Sequence, residues 1–382
     1  MVKSFNIEEA GIYIEHYLDL KNPNGLLKRS LMIHGGPGIG KSKKVEQIVR
    51  AYAAFRGKKF SFTEIGPGIV TLIDLRGSQI EPPDLRGYPF PNGDVVKNLL
   101  PGFLPRAEQG GEGVIFCDEI NQSDDSVQKA MMQLINDKRV GDWVLPDGWC
   151  IIAAGNRQED GATINPMSSP LNNRFAHITV HHDLKVWVDW ANKNDVDAEI
   201  TSFLVSMEAM DKDKNYLYML SKSKKEPAYP TPRSWAALSD SIKRWKENHN
   251  GELKPEDAYN LALFEVGHGV AAEFEEHLVE GKKINIDVFL KNPKKYHELD
   301  KLSHKYNLAT KIQGKYKNDA KKNIDAIMSL LFEMEDEIAV YVIKLLKEHD
   351  EGKFNGIMLG SKHIDKFMEK YEKYFQHLSA KH

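Results

Sequence analysis

The run Gly35-Gly36-Pro37-Gly38-Ile39-Gly40-Lys41-Ser42 restricts what this chain can fold into more than any other feature. It matches G-x-x-x-x-G-K-[ST] and stands between a short apolar run at 30–33 and an amphipathic stretch at 42–55. In that stretch Val45, Ile48, Val49 and Tyr52 recur at helical spacing. A strand that turns through glycines into a helix aims successive backbone N–H groups, and the positive end of the helix, at one anion. Lys41 is then placed for the β- and γ-phosphates of a nucleotide, and the Ser42 hydroxyl for Mg2+.

The rest of the first half agrees. Residues 58–65 alternate like a strand, 113–117 and 149–154 are continuous apolar runs, 126–138 reads as a helix, and 177–180 is a last short strand. Near-continuous apolar strands alternating with helices predict a parallel sheet covered on both faces. Two segments interrupt the pattern. Residues 76–105 are rich in Pro and Gly and long for a connector. Residues 139–149 read as a hairpin turning at Pro146-Asp147-Gly148. Beyond about Asp183 only helices are expected: 200–210, 233–246, 256–266, 271–279 and the most apolar one, 324–347, with a break before it near Pro293 and Gly314. No internal repeat is visible.

Four further motifs carry polar groups, two of them at the ends of strands. Val114-Ile115-Phe116-Cys117-Asp118-Glu119 is an apolar strand with two carboxylates at its carboxyl edge, where ligands bind in open α/β sheets. Asp118 suits magnesium through its water shell; Glu119 suits polarising an attacking water, which favours hydrolysis over transfer to another acceptor. The alternative reading of the pair alone is an acidic helix cap after a buried strand. Ile151-Ile152-Ala153-Ala154-Gly155-Asn156 ends in an amide that can donate to a γ-phosphate or serve only as a turn former. Leu171-Asn172-Asn173-Arg174-Phe175 sets an Arg before a strand, and Pro230-Thr231-Pro232-Arg233-Ser234-Trp235 opens a helix with another. Pattern alone does not decide whether either arginine is more than an ordinary surface charge.

The order and type of these motifs resemble the AAA+ ATPases of the MoxR type, a branch that includes the CbbQ, NorQ and GvpN groups. The likeness spans roughly residues 5–280. It includes Leu75-Arg76-Gly77-Ser78-Gln79, Pro83-Asp84-Leu85-Arg86-Gly87 and Leu145-Pro146-Asp147-Gly148, phrases more specific than the phosphate loop. It implies ATP with Mg2+ as cofactors, Asn156 as the sensor-1 residue, Arg174 as an arginine finger presented to a neighbouring subunit, and Arg233 as the sensor-2 arginine of a helical lid. It also implies a self-assembled ring, usually a hexamer, and remodelling of a protein partner, often one with a von Willebrand A domain. On this reading residues 1–182 are an α/β, P-loop αβα nucleotide domain, the AAA+ core, with 76–105 as helix-2 insert and 139–149 as pre-sensor-1 hairpin. Residues 183–290 are the all-helical lid. Residues 291–382, a helical extension, match nothing familiar.

Composition narrows the partners. Fifty-two Lys and Arg against 55 Asp and Glu leave a formal charge of −3, which does not call for nucleic acid or an anionic membrane. From Lys282 onward there are 20 Lys, 15 acids and no Arg; such a stretch reads as solvated helix faces, since Lys lacks the fork that reads bases. A nucleic-acid motor such as a replication-protein loader is therefore the alternative reading, with a non-hydrolysing scaffold and a small-molecule phosphotransferase behind it. Residues 1–20 carry Glu8, Glu9, Glu15 and Asp19 and no signal pattern. Two cysteines, Cys117 and Cys150, are expected on neighbouring strands about five residues, roughly 16 Å, out of register, and a reducing, cytoplasmic setting fits. Asn192-Lys193-Asn194-Asp195 imitates a guanine-reading motif without its companion D-x-x-G, and reads as chance. His177, His181 and His182 read as strand residues rather than metal ligands, and Trp149 as a packing residue.

Overall fold

The computed structural model describes residues 3–18, 29–157, 160, 165–219, 226–347 and 351–379; Met1, Val2, Asp19 and Leu20 of the amino-terminal segment lie outside them. The chain divides into two compact units, Met1–Asp183 and Leu184–His382.

The first unit is an αβα sheet domain. Its elements are β1 (Ser4–Phe5), α1 (Ile7–Leu18), β2 (Ser30–Gly35), α2 (Lys41–Phe55), β3 (Lys59–Ser61), β4 (Ile69–Arg76), α3 (Pro82–Arg86), β5 (Tyr88–Asn92), β6 (Val95–Leu99), β7 (Glu112–Asp118), α4 (Asp125–Asp137), β8 (Arg139–Val140), β9 (Trp143–Val144), β10 (Trp149–Gly155), α5 (Ser169–Asn172) and β11 (Phe175–Val180). Seven strands form one parallel sheet in the order β1-β11-β2-β10-β7-β4-β3. Both faces are covered. Val45, Val49 and Tyr52 of α2 pack on one with Ile33, Val114 and Ile152; Val127, Met131 and Leu134 of α4 pack on the other with Ile115, Cys117 and Ile151. Because β10 lies between β2 and β7, the carboxyl ends of the strands leading to Gly35, Asn156 and Asp118 stand side by side.

Several expectations need correction. The long strand after α2 is β4, which the sequence reading passed over; only Lys59–Ser61 of the 58–65 segment pairs. The hairpin at 139–149 turns at Gly141-Asp142, where Gly141 has φ 56°. Pro146-Asp147-Gly148 instead leads into β10, with the Gly113 N–H donating to the Gly148 carbonyl at 3.1 Å. Cys117 pairs with Ala153 and Cys150 with Val114, so the cysteines are three residues out of register, about 10 Å; both are free and buried. Within residues 76–105, α3 is followed by the antiparallel hairpin β5–β6, every residue of which is exposed.

The second unit is helical: α6 (Leu184–Lys193), α7 (Ala198–Met210), α8 (Pro232–Asn248), α9 (Pro255–Val266), α10 (His268–Lys282), α11 (Ile286–Lys291), α12 (Leu302–Leu331), α13 (Asp336–Lys347), α14 (Glu351–Leu359) and α15 (Ile364–Ser379). The single helix expected over 324–347 is two, broken at 332–335. Gly314 lies inside α12, which kinks at Asp319 instead. Phe203, Trp235 and Phe274 meet at centroid distances of 5.4–6.3 Å. They belong to one core with Tyr306, Leu346 and Tyr371, so helices on both sides of residue 290 are packed together. Among the described residues no helix is long and apolar enough to cross a membrane.

Candidate functional site

Between β2 and α2 the chain curls back on itself, with Gly38 and Gly40 at φ 73° and 101°, conformations that a side chain would strain. No side chain caps α2, so the first turn of this 15-residue helix directs its N–H groups and dipole into the loop. Lys41 is 8% exposed. Its ammonium donates to the carbonyls of Gly35 (2.7 Å) and Gly36 (3.1 Å) and to Asn156 Oδ1 (3.1 Å). Since Nζ only donates, Oδ1 is the end of the Asn156 amide that faces it, and Nδ2 is left pointing away as a donor.

Ser42 Oγ donates to Asp118 Oδ2 at 2.5 Å, and Asp118 Oδ1 accepts the Glu119 N–H at 2.9 Å. A hydroxyl and a carboxylate in contact beside a phosphate loop are the hard oxygen donors that Mg2+ takes, so the residues present fit that ion. Glu119 has φ 54°, a left-handed conformation uncommon for a residue with a side chain. The turn swings its carboxylate to Ser78, whose Oγ donates to Oε2. Gly77 makes the approach possible: a Cβ there would lie 2.9 Å from the Glu119 carbonyl oxygen. Nearby, burial raises the Asp74 pKa, Arg76 opposes this from 3.2 Å, and the charges of Asp118 and Glu119 add to it. Three carboxyl groups thus crowd the end of β4 and β7.

Asn156 is held by a second asparagine. Asn121 Nδ2 donates to the Asn156 carbonyl at 2.6 Å, and Asn121 Oδ1 accepts the Asn156 N–H at 3.2 Å. Gly155 leaves room for this, since a Cβ would stand 2.3 Å from Asn121 Oδ1. Two histidines border the loop. Burial pushes His34 down to about 4, with His177, Lys41 and Arg157 adding to the shift. Burial likewise takes His182 to about 4, against the pull of Asp160, with the Pro37 carbonyl within hydrogen-bonding reach.

The geometry therefore joins Lys41, Ser42, Asp118, Glu119 and Asn156 into one cluster. Arg174 is not hydrogen-bonded to it among the described residues; its guanidinium lies 3.4 Å from Met132 Sδ on α4. Arg233 is exposed in the first turn of α8, in the second unit, behind a Thr231–Ser234 capping box. The guanine-like motif ends α6 in that same unit, where Asp195 pairs with Lys243 at 3.1 Å and Asn194 caps onto the Trp190 carbonyl. Sequence reasoning missed Ser78, Asn121, His34 and His182 as neighbours of the site. Ser78 lay inside a recognised phrase and Asn121 two residues past Glu119, but no periodicity announces either contact.

A phosphate loop feeding a helix, on a parallel sheet whose next strands end in Asn156 and Asp118, defines a P-loop nucleotide-binding domain. Residues 30–175 match the family model of the AAA domain, dynein-related subfamily, which spans well under half the chain but contains the whole cluster. No curated protein matches the chain significantly. Among solved structures, the Thermotoga maritima RuvB Holliday junction branch migration motor is similar at 14% identity and TM-score 0.36, over 74% of this chain and 75% of that one. A putative ATPase from Cytophaga hutchinsonii shows 16% identity and TM-score 0.28, over 67% and 84%. NtrX from Brucella abortus shows 13% and 0.37, over 94% and 69%.

Proposed function

We propose that the chain hydrolyses ATP as a MoxR-type AAA+ motor, assembled into a ring that remodels a protein partner. The observation that carries the first part is the convergence of Lys41, Ser42, Asp118, Glu119 and Asn156 at the carboxyl ends of three adjacent strands. Lys41 and the amides of the loop bind the phosphates. Ser42 and Asp118 would hold Mg2+, which when bound neutralises charge on the β- and γ-phosphates. Glu119 takes the proton of the attacking water, and the Asn156 amide aligns that water or the γ-phosphate. Binding survives without Glu119; turnover does not.

Arg174 supports the ring reading by its position: it is half-buried on the turn between α5 and β11 and, among the described residues, makes no hydrogen bond to the cluster of its own subunit. As an arginine finger it would stabilise charge on a neighbour's γ-phosphate; Arg233 would serve as the sensor-2 arginine of the lid. The protein partner, for which a von Willebrand A domain protein is the leading candidate, rests on the family resemblance and on the exposed hairpin β5–β6. There Tyr88 and Phe90 are 60% and 54% exposed, which suits gripping rather than anchoring the segment. Mixing inactive Arg174→Ala subunits with inactive Glu119→Gln subunits tests the ring. A shared site predicts that activity returns, because some boundaries pair an intact Glu119 with an intact Arg174. A fully active monomer at high dilution would refute it.

A further inference from the structure

A pair of histidines joins the strand that feeds the phosphate loop to the turn that carries Arg174. β2 and β11 are neighbours, with His177 opposite Met32 and Thr179 opposite His34, so His34 and His177 lie diagonally on one face of the sheet. Their rings are tilted by 21° with centroids 5.1 Å apart, and His34 Nε2 lies 2.8 Å from His177 Nδ1. His177 Nε2 lies 2.7 Å from the Asn172 carbonyl. A carbonyl only accepts, so His177 holds a proton on Nε2; in its singly protonated form Nδ1 accepts and His34 donates from Nε2. In that form the chain of bonds runs from His34 through His177 to Asn172. Burial and the surrounding positive charges that hold His34 near 4 keep that ring neutral at pH 7.

Arg29 closes the other side of the same turn. One of its guanidinium nitrogens donates to the carbonyls of Asn173 (2.7 Å) and Phe175 (2.6 Å). The Arg174 N–H itself donates to the Leu171 carbonyl at 3.1 Å, and Asn172 Nδ2 to the Met167 carbonyl at 3.0 Å. The backbone on both sides of Arg174 is thus pinned, while among the described residues no carboxylate pairs with the Arg174 side chain. That combination suits a cation held ready for an anion supplied from elsewhere.

We propose that Arg29, His34 and His177 are positioning residues for Arg174, fixing the turn from which it acts and tying it to the strand of the phosphate loop. The proposal rests on the reading that Arg174 serves the neighbouring subunit, and from this follows an unusual signature. A lesion at His177 should damage the neighbour's site and leave its own intact.

The test is directional complementation, using phosphate release by the full-length chain. His177→Phe should lower turnover about tenfold or more while KM for ATP stays within about twofold. Mixed with Glu119→Gln subunits, His177→Phe should regain activity; mixed with Arg174→Ala subunits, it should not. His177→Gln, whose amide can donate to Asn172 and accept from His34, should retain most of the turnover. Arg29→Ala, at an exposed position, should repeat the pattern and serves if His177→Phe fails to fold. Rescue of His177→Phe or Arg29→Ala by Arg174→Ala subunits would place the lesion in the subunit's own site and overturn the proposal, as would unchanged turnover in both. If Arg174→Ala and Glu119→Gln fail to complement each other, the trans reading falls and takes the proposal with it; if they succeed, the outcome for His177 judges the proposal alone.

Discussion

Asn121→Ala is the perturbation whose consequences the structure fixes most closely. Asn121 is 5% exposed and touches neither the phosphate loop nor Asp118 by hydrogen bond among the described residues; both its bonds to residue 156 are to backbone. Alanine removes two hydrogen bonds and leaves a part-buried N–H and C=O of Asn156 without them. At about 1 kcal/mol per bond, plus part of the desolvation penalty of the stranded groups, stability should fall by about 2–3 kcal/mol. For a unit of this size that corresponds to a melting temperature lower by about 5–10 °C. Lys41 keeps its bonds to Gly35 and Gly36, so ATP affinity should stay within about threefold. Turnover should fall about 10–100-fold, the scale expected when a catalytic group is displaced by about 1 Å. Gly155→Ala should produce the same turnover loss by pushing Asn121 aside. Thermal unfolding, nucleotide affinity and phosphate release on both variants make the comparison. A melting temperature that drops as expected, with turnover unchanged, would show that Asn121 only staples strands and that Asn156 contributes nothing to hydrolysis.

Two other outcomes follow from burial. His277 is 3% exposed and burial lowers its pKa to about 4, so the unfolded chain, titrating near 6.5, binds the proton first. Its stabilisation is complete above pH 6.5 and is lost as pH falls toward 4, by about 2 kcal/mol at pH 5; denaturant titrations at pH 7.5 and 5 should show this slope reduced in His277→Gln, and an equal slope would refute the assignment. Tyr88→Ala with Phe90→Ala, at positions more than half exposed, should shift the melting temperature by no more than about 2 °C and leave basal hydrolysis near wild type. A fall on the scale of two lost core aromatics would mean that the hairpin packs down.

What the sequence made legible follows from the range of the forces involved. The phosphate loop is local chemistry, and Gly35 through Ser42 stand where the motif required. The apolar strands ending in Asp118 and Asn156 were readable because burial on both faces leaves no polar positions to confuse the period. β4 was missed since Lys58–Ile65 alternates more cleanly than Ile69–Arg76, where Thr71 and Asp74 interrupt the apolar run just before the insert. The hairpin turn was misplaced because Pro146-Asp147-Gly148 is the stronger local turn signal, while Gly141-Asp142 is chosen by the pairing of Val140 with Trp143. The break between α12 and α13 contains neither Gly nor Pro. It is held by Tyr296 and Lys305 bonding Glu335, partners 39 and 30 residues away that no local pattern can supply. The same holds at the site, where Ser78 and Asn121 act through contacts made only once β4, β7 and β10 are side by side.

The central claim is that one cluster binds ATP through Lys41 and hydrolyses it through Glu119. It is tested most directly by measuring nucleotide affinity and phosphate release together on the wild type, Lys41→Ala and Glu119→Gln. The account predicts release by the wild type, lost affinity in Lys41→Ala, and in Glu119→Gln an affinity within a few-fold of wild type with turnover lower by about 10³ or more. Wild-type turnover in Glu119→Gln, or loss of binding equal to that of Lys41→Ala, would contradict it.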